Sequence, residues 1–68
     1  MDKKTNLFPF EGKQVKVVDI DGNVYEGEAY VSTEYELDDI CYVRLPNARG
    51  DRVSIYVDEI ASIEIIGE

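Results

Sequence analysis

The segment GKQVKVVDIDGNVYEGEAYV, residues 12–31, decides the fold expected for this chain. Its apolar residues alternate with polar ones, and this period of two is typical of β-strands that bury one face. Asp21-Gly22 lies between the two alternating runs and supplies the positive φ angles of a tight hairpin turn. The segment therefore predicts two antiparallel strands, over residues 13–20 and 23–32.

The second of these strands has a glycine in its interior. Glu26 and Glu28 share the face expected in water, because side chains alternate along a strand. The opposite face, expected in the core, carries Tyr25, Gly27, Ala29 and Val31. Gly27 is informative because a glycine inside a strand marks a sharp bend or a close approach of another backbone. We expect it to bend the strand at the corner of a small barrel.

Three further strands are predicted downstream. They cover residues 40–45, 52–57 and 60–66, with a polar loop over 33–39 and a turn over 46–51. The faces expected in the core carry Cys41, Val43 and Leu45, then Val53, Ile55 and Val57, then Ile63 and Ile65. The outward face of the third strand carries Ile40, Tyr42 and Arg44.

Two short pieces lie outside the strands. Asp58-Glu59 is predicted to form a single helical turn, and residues 1–10 hold either one short helix or a segment lying across the barrel mouth through Leu7, Phe8 and Phe10. Five short strands with a bent second strand favour an all-β, five-stranded, strongly bent SH3-like small barrel over a sandwich of about seven strands. The N-terminal segment is expected over residues 1–11 and the barrel over 12–68.

Composition excludes several functions. The 68 residues include 15 Asp and Glu against 7 Lys and Arg, a net charge of −8, with one Cys and no His. An internal disulfide, the usual zinc, copper and haem sites and histidine-dependent catalysis are therefore excluded, and we expect no cofactor. The acidity argues against non-specific binding to nucleic acid or to anionic membranes, and we expect neither DNA nor a membrane as a partner. We expect no enzyme, since no nucleophile, base and pocket can be named together.

The cytoplasm is the expected location. No apolar stretch approaches the roughly 20 residues of a membrane span, and the first four residues are followed by polar ones, not by the apolar region of a signal peptide.

Two sequence patterns resemble a known family. Gly12-Lys13-x-Val15-x-Val17, followed by Asp21-Gly22-x-x-Tyr25-x-Gly27, resembles the first motif of the Sm and Sm-like proteins, and residues 56–63 resemble the end of the second. Bacterial Hfq has a related arrangement there. The resemblance implies an Sm-like barrel that binds single-stranded, often uridine-rich RNA around the pore of a ring. It also implies a homo-oligomer, in which the fourth strand of one subunit pairs with the fifth strand of the next.

The family's RNA-binding positions are largely changed in this chain. The usual Asp and Asn after the bend glycine are replaced by Thr33 and Leu37, and the usual basic turn after the fourth strand holds Val57-Asp58. Tyr35 remains as a candidate for stacking a base.

The candidates for phosphate contact are Arg44, Arg49 and Arg52, which are all the arginines of the chain. The planar fork of a guanidinium binds phosphate bidentately, so a local cationic patch can act on an acidic protein. The favoured alternative is that these arginines pair with Asp51, Asp38 or Asp39.

Other patterns have simpler explanations. Arg49-Gly50-Asp51 spells an adhesion tripeptide, and Asp19-x-Asp21-x-Asn23 resembles the opening of a calcium loop, but a hairpin turn accounts for each. The acidic residues of the 33–39 loop indicate a solvated loop, and Cys41 indicates a small core residue.

Two functions from different classes remain. The first is an Sm-like module that binds single-stranded RNA, with Tyr35 and the arginines as contacts. The second is an SH3-like barrel for protein interaction or assembly, which binds a basic peptide through its acidic loops. Charge favours the second and the motif between Gly12 and Gly27 favours the first. Tyr30, Tyr42 and Tyr56 lie opposite the expected core, as interface residues or as exposed strand residues.

Overall fold

The computed structural model describes residues 1–2, 4–34, 40–47 and 49–67. Its strands are β1 Gln14–Asp19, β2 Val24–Glu28, β3 Tyr30–Glu34, β4 Ile40–Pro46, β5 Arg52–Tyr56 and β6 Ile60–Gly67. Two short 3-10 turns cover Phe8–Phe10 and Val57–Glu59. The all-β class is confirmed, and the second turn confirms the helical turn predicted at Asp58-Glu59.

The strands form two antiparallel sheets of three strands each, in the orders β2-β1-β6 and β3-β4-β5. Among the described residues these pairings do not close into one barrel. Val17 on β1 faces Tyr25 and Ile63, while Val43 on β4 faces Val31 and Ile55. The core therefore lies between the two sheets, under their central strands.

The structure has six strands where the sequence predicts five, because the long second strand is divided at Ala29. The Ala29 N–H donates a hydrogen bond to the carbonyl of Lys13, and the Ala29 carbonyl accepts one from the Gly12 N–H. These two bonds connect the division point to the residues just before β1. The chain thus passes from the first sheet to the second at one residue. β3 also extends through Thr33 and Glu34, which the sequence placed in a loop.

Gly27 lies beside this bend, and the group that approaches it closely is the side-chain ring of Pro46. The φ of Gly27 is 155°, and a Cβ there would lie 2.7 Å from Cγ of Pro46. Pro46 is the last residue of β4, so the glycine lets the two sheets approach each other at the corner.

The core is apolar and includes a residue from before the first strand. Its members are Leu7, Val15, Val17, Ala29, Val31, Ile40, Val43, Leu45, Ile55, Val57 and Ile60. Ile40 was expected on the outward face, but its side chain is only 6% exposed and belongs to the core. Buried and exposed residues do not alternate strictly over the first residues of β4, so the period of two fails there. Tyr25 and Cys41 are half-buried against this core, as expected.

The N-terminal segment packs onto the sheets through Leu7 and Phe10. Leu7 is fully buried, Phe10 is half-buried against the core, and Phe8 is 49% exposed. The 3-10 turn over Phe8–Phe10 follows Leu7 directly. Pro9 lies at the start of this turn, where its missing N–H leaves no hydrogen bond unmade. No helix in the described part of the chain is long and apolar enough to cross a membrane.

Candidate functional site

The outer face of the β3-β4-β5 sheet carries a shallow groove of about 390 Å³. It is lined by Tyr30, Val31, Ser32, Tyr42, Arg44 and Arg52. We call it the β3–β5 groove. It collects two aromatic rings and two guanidinium groups on one surface.

Strand register explains why these side chains meet. Tyr30 lies opposite Arg44, and Ser32 lies opposite Tyr42, in the antiparallel pairing of β3 with β4. Since alternate residues share a face, these four side chains project from the same side of the sheet. Val31, the residue between Tyr30 and Ser32, points the other way and is buried in the core.

Arg52 joins the groove from β5, two strands away from Tyr30. Its Cζ lies 4.6 Å from the centroid of the Tyr30 ring. A cation over an aromatic face at an exposed site stabilises the pair by about 0.5–1 kcal/mol. This contact holds the Arg52 guanidinium against the groove wall instead of letting it extend into water.

Tyr42 is fixed by a second aromatic contact. Its ring centroid lies 5.3 Å from that of Tyr56, with the ring planes tilted by 51°. The two residues face each other across β4 and β5, so the contact follows from the register. Tilted aromatic pairs at this separation are favourable, and the contact limits the rotation of the half-buried Tyr42 side chain.

The groove is cationic on an acidic protein. Within the described residues, the guanidinium groups of Arg44 and Arg52 form no hydrogen bond or ion pair. Among the described residues, neither Arg44 nor Arg52 forms an ion pair with Asp51, and the hydrogen bonds of Asp51 in the turn after β4 come from its backbone. The proposed partners Asp38 and Asp39 lie outside the described residues. As far as the described residues show, the donors of both arginines can contact an anion.

The other candidates from the sequence lie elsewhere. Arg49 is exposed in the turn between β4 and β5 and does not line the groove. Tyr35 and Leu37 fall outside the described residues. Of the changed family positions, Thr33 is half-buried on β3 opposite Cys41, and Asp58 is exposed in the 3-10 turn.

Sequence reasoning assigned Arg44 and Arg52 to the site but left Tyr30 and Tyr42 outside it. The signal was present, since alternation placed both tyrosines on the face opposite the core. Alternation could not show that Arg52 reaches across β4 to Tyr30, because that contact depends on the strand order of the folded sheet.

The turn after β1 is built around the Asp19 side chain. Asp19 Oδ1 accepts hydrogen bonds from the N–H groups of Asp21 and Asn23, while Oδ2 accepts from the Asn23 amide. The Gly22 N–H donates to the Asp19 carbonyl, at a φ of 86° that favours glycine. The predicted hairpin is confirmed, and Asp21 contributes to it through its backbone.

The turn after β4 repeats this geometry. Asn47 Oδ1 accepts from the N–H groups of Arg49 and Asp51, and the Gly50 N–H donates to the Asn47 carbonyl. Gly50 also has a φ of 86°. Both the calcium-like and the adhesion-like patterns are thus explained as Asx turns.

Hydrogen bonding lowers the pKa of the Asp19 carboxyl. Desolvation acts to raise that pKa, but the bonds donated by the side chain and backbone of Asn23 and by the backbones of Asp21 and Gly22 together outweigh it. The lowered pKa keeps the Asp19 carboxyl ionised at neutral pH, where both of its oxygens accept hydrogen bonds within the turn. In the described part of the chain, no group of three or more His, Cys, Asp or Glu side chains could hold a metal ion.

Comparison with protein-family models finds no match to this chain. Searches of curated proteins and of solved structures find no match either.

Proposed function

We propose that the chain is an Sm-like module that binds single-stranded RNA through the β3–β5 groove and assembles as a homo-oligomeric ring. The observation that carries the proposal is that Arg52 lies over the Tyr30 ring in the groove that Arg44 also lines, and that Arg44 has no ion pair among the described residues. Proteins that bind single strands combine cationic side chains for the phosphates with aromatic rings on which bases stack. The groove offers both on one face.

The strand arrangement supports an SH3-like, Sm-like barrel. The order β5-β4-β3 continues through the bend at Ala29 into β2-β1-β6, and a 3-10 turn joins β5 to β6. Gly12 and Gly27, the two glycines of the family motif, stand at the opening of β1 and beside the bend.

Two unpaired strand edges support the oligomer. Among the described residues, β5 pairs with β4 alone and β6 pairs with β1 alone. Ile65 lies on the core side of β6, opposite Val15, yet it is 40% exposed. Exposed, apolar strand edges invite pairing with another chain. Pairing β5 of one copy with β6 of the next would cover this edge and repeat around a ring.

RNA binding is tested by fluorescence anisotropy with short uridine-rich and adenine-rich RNA at low salt. We expect Arg44→Gln and Arg52→Gln each to weaken binding by about tenfold, because a charge-assisted phosphate contact is lost. Each loss should also reduce the slope of log K against log salt by about 0.7. Lys16→Gln on the opposite sheet removes the same charge and should leave affinity within about twofold.

Absence of binding by the unchanged protein at low salt would overturn the RNA proposal, since electrostatic attraction is strongest there. Equal weakening by the Lys16 and arginine variants would show that binding depends on net charge and not on the groove. Arg49→Gln should have a smaller effect than either groove variant, because Arg49 lies outside the groove.

A second candidate function is protein interaction through the same SH3-like fold. The observation that favours it is the acidic outer face of the first sheet, where Glu26 and Glu28 are exposed on β2. A basic peptide would bind to this acidic face. A double variant that carries both Glu26→Gln and Glu28→Gln would bind the peptide more weakly. The same double variant would leave RNA affinity unchanged or raise it, so the two functions respond in opposite directions.

A further inference from the structure

The β3–β5 groove has the size of a pocket for one small ligand. Pockets for small molecules span about 300–1,000 Å³, and the groove, at about 390 Å³, lies near the lower limit. The described residues that line it come from three neighbouring strands. One nucleotide fits such a volume better than a continuous strand does.

The charge distribution also favours a short ligand. The groove holds two cationic side chains with no ion pair among the described residues, whereas the whole chain carries a net charge of −8. A phosphate beyond the groove contacts neither arginine and experiences the net negative charge of the protein, so it adds less to the affinity than the phosphate inside the groove. A ligand with a single phosphate group already gains the contacts of both arginines.

The side chains divide into three chemical roles. Arg52 lies against the ring of Tyr30, so that ring is already covered on one side and acts to position the guanidinium. Arg44, opposite Tyr30 in the register, supplies a second set of donors for the same anion. Tyr42, restrained by Tyr56, is the ring left to stack on a base, and the Ser32 hydroxyl opposite it can exchange a hydrogen bond with base or ribose.

We propose that the β3–β5 groove is a single-nucleotide pocket, in which Arg44 and Arg52 hold one phosphate and Tyr42 stacks the attached base. The inference rests on the proposed function, because it names the unit of RNA that each subunit engages. It goes further in one respect: a free nucleoside 5′-monophosphate, which has the same base, ribose and phosphate, should bind the same groove without the rest of the strand.

The test uses the full chain labelled with ¹⁵N and titrated separately with uridine 5′-monophosphate, adenosine 5′-monophosphate, the two nucleosides and inorganic phosphate. We expect the monophosphates to shift the amide signals of the groove strands β3, β4 and β5. Nucleoside or phosphate alone should bind at least about tenfold more weakly than the joined molecule, because each supplies only one part of the recognition.

Variants locate the pocket. Arg52→Gln should weaken nucleotide binding by about tenfold, and Arg52→Lys should restore only part of it, since lysine keeps the charge but lacks the planar fork. Tyr42→Ala should weaken nucleotide binding without changing the affinity for inorganic phosphate. Tyr42→Phe, which keeps the ring, should bind nucleotide as the unchanged protein does and guards against a folding defect. Lys16→Gln is the matched charge control.

Failure of the two proposals can be distinguished. If short RNA binds with sensitivity to Arg44 and Arg52 but millimolar monophosphate shifts no groove signal, the single-nucleotide pocket is wrong and RNA binding stands. If monophosphate binds the groove but RNA does not bind at all, the RNA function is wrong and the pocket stands. Equal binding of nucleotide and inorganic phosphate would also overturn the pocket, since the base would then contribute nothing.

Discussion

Gly27 and Pro46 lie so close that no side chain fits between them. A Cβ on Gly27 would lie 2.7 Å from Cγ and 2.8 Å from Cδ of the proline ring, and the backbone φ of 155° is one that other residues rarely adopt. The proline ring cannot rotate away as a flexible side chain would. Because Gly27 has no side chain, Pro46 can pack directly against the bent strand where the chain crosses from one sheet to the other.

We expect Gly27→Ala to destabilise the protein by about 1–3 kcal/mol, the usual cost of forcing extra atoms into a packed site. Pro46→Ala in the same chain should recover part of that loss, because it removes the clash while the backbone strain remains. Urea unfolding at matched protein concentration measures both changes. Additive effects of the two substitutions would contradict the clash.

Asp19 makes the stability of the β1–β2 turn depend on pH. Its pKa is lowered in the folded state, so its contribution is complete above the unfolded value of about 3.9. That contribution is lost as the pH falls through the folded value. Asp19→Asn keeps a side-chain oxygen acceptor, as Asn47 does in the matching turn, but it cannot titrate.

The unchanged protein should therefore lose stability on acidification below about pH 4 more steeply than Asp19→Asn does. Asp19→Ala removes the acceptor and should be less stable than either at neutral pH. Urea unfolding at a series of pH values measures the difference. Parallel pH profiles for the unchanged protein and the Asn variant would show that Asp19 does not contribute in this way.

At the scale of secondary structure elements, the N-terminal segment contributes to the core through one residue. Leu7 is fully buried ahead of the first 3-10 turn, whereas Phe8, next to it, is 49% exposed. The larger side chain of this pair is thus the less buried one. Side-chain hydrophobicity alone would have predicted that Phe8 contributes more to the core than Leu7 does.

We expect Leu7→Ala to destabilise the protein by about 2–5 kcal/mol, because it leaves a cavity between the sheets. Phe8→Ala should cost about 1 kcal/mol or less, since half of that ring is already in water. Thermal and urea unfolding compare the two variants at equal concentration. A similar loss for both would mean that Leu7 does not occupy the core position that its burial indicates.

The candidate site also depends on how elements are arranged. The period of two along β3, β4 and β5 is sufficient to place Tyr30, Tyr42, Arg44 and Arg52 opposite the core. Their convergence into one groove requires β4 to lie between β3 and β5, and requires a register that aligns Tyr30 with Arg44. Sequence alternation indicates a face, but it does not indicate which residues of different strands are neighbours on it.

At the scale of the whole molecule, β6 is an edge strand of the first sheet and β5 is an edge strand of the second. A domain of this size buries only about 60% of the surface of its unfolded chain, so its stability is small without additional burial. Ile65 and Ile66 on β6 remain 40% and 48% exposed. Pairing between copies is a direct way to bury them.

If copies pair through these edges, raising the protein concentration should raise the unfolding midpoint, because association stabilises the folded state by mass action. Ile65→Lys places a charge on the β6 edge and should abolish both the concentration dependence and the oligomer seen by light scattering. Ile20→Lys, at a residue that is 64% exposed in the β1–β2 turn, is the control and should leave both unchanged. A monomer at micromolar concentration in the unchanged protein would contradict the ring.

The sequence by itself determined the strand class, most inward and outward faces, the positions of the two turns and the glycine beside the bend. These features are local, since they depend on a period of two and on backbone angles that few residues adopt. Tertiary structure alone decided that Leu7 fills the core, that Pro46 rests on Gly27 and that Arg52 reaches Tyr30. Each of these contacts joins residues from separate elements. Strand order and register, which bring such residues together, are chosen by the packing of the whole chain and are not encoded in any short segment.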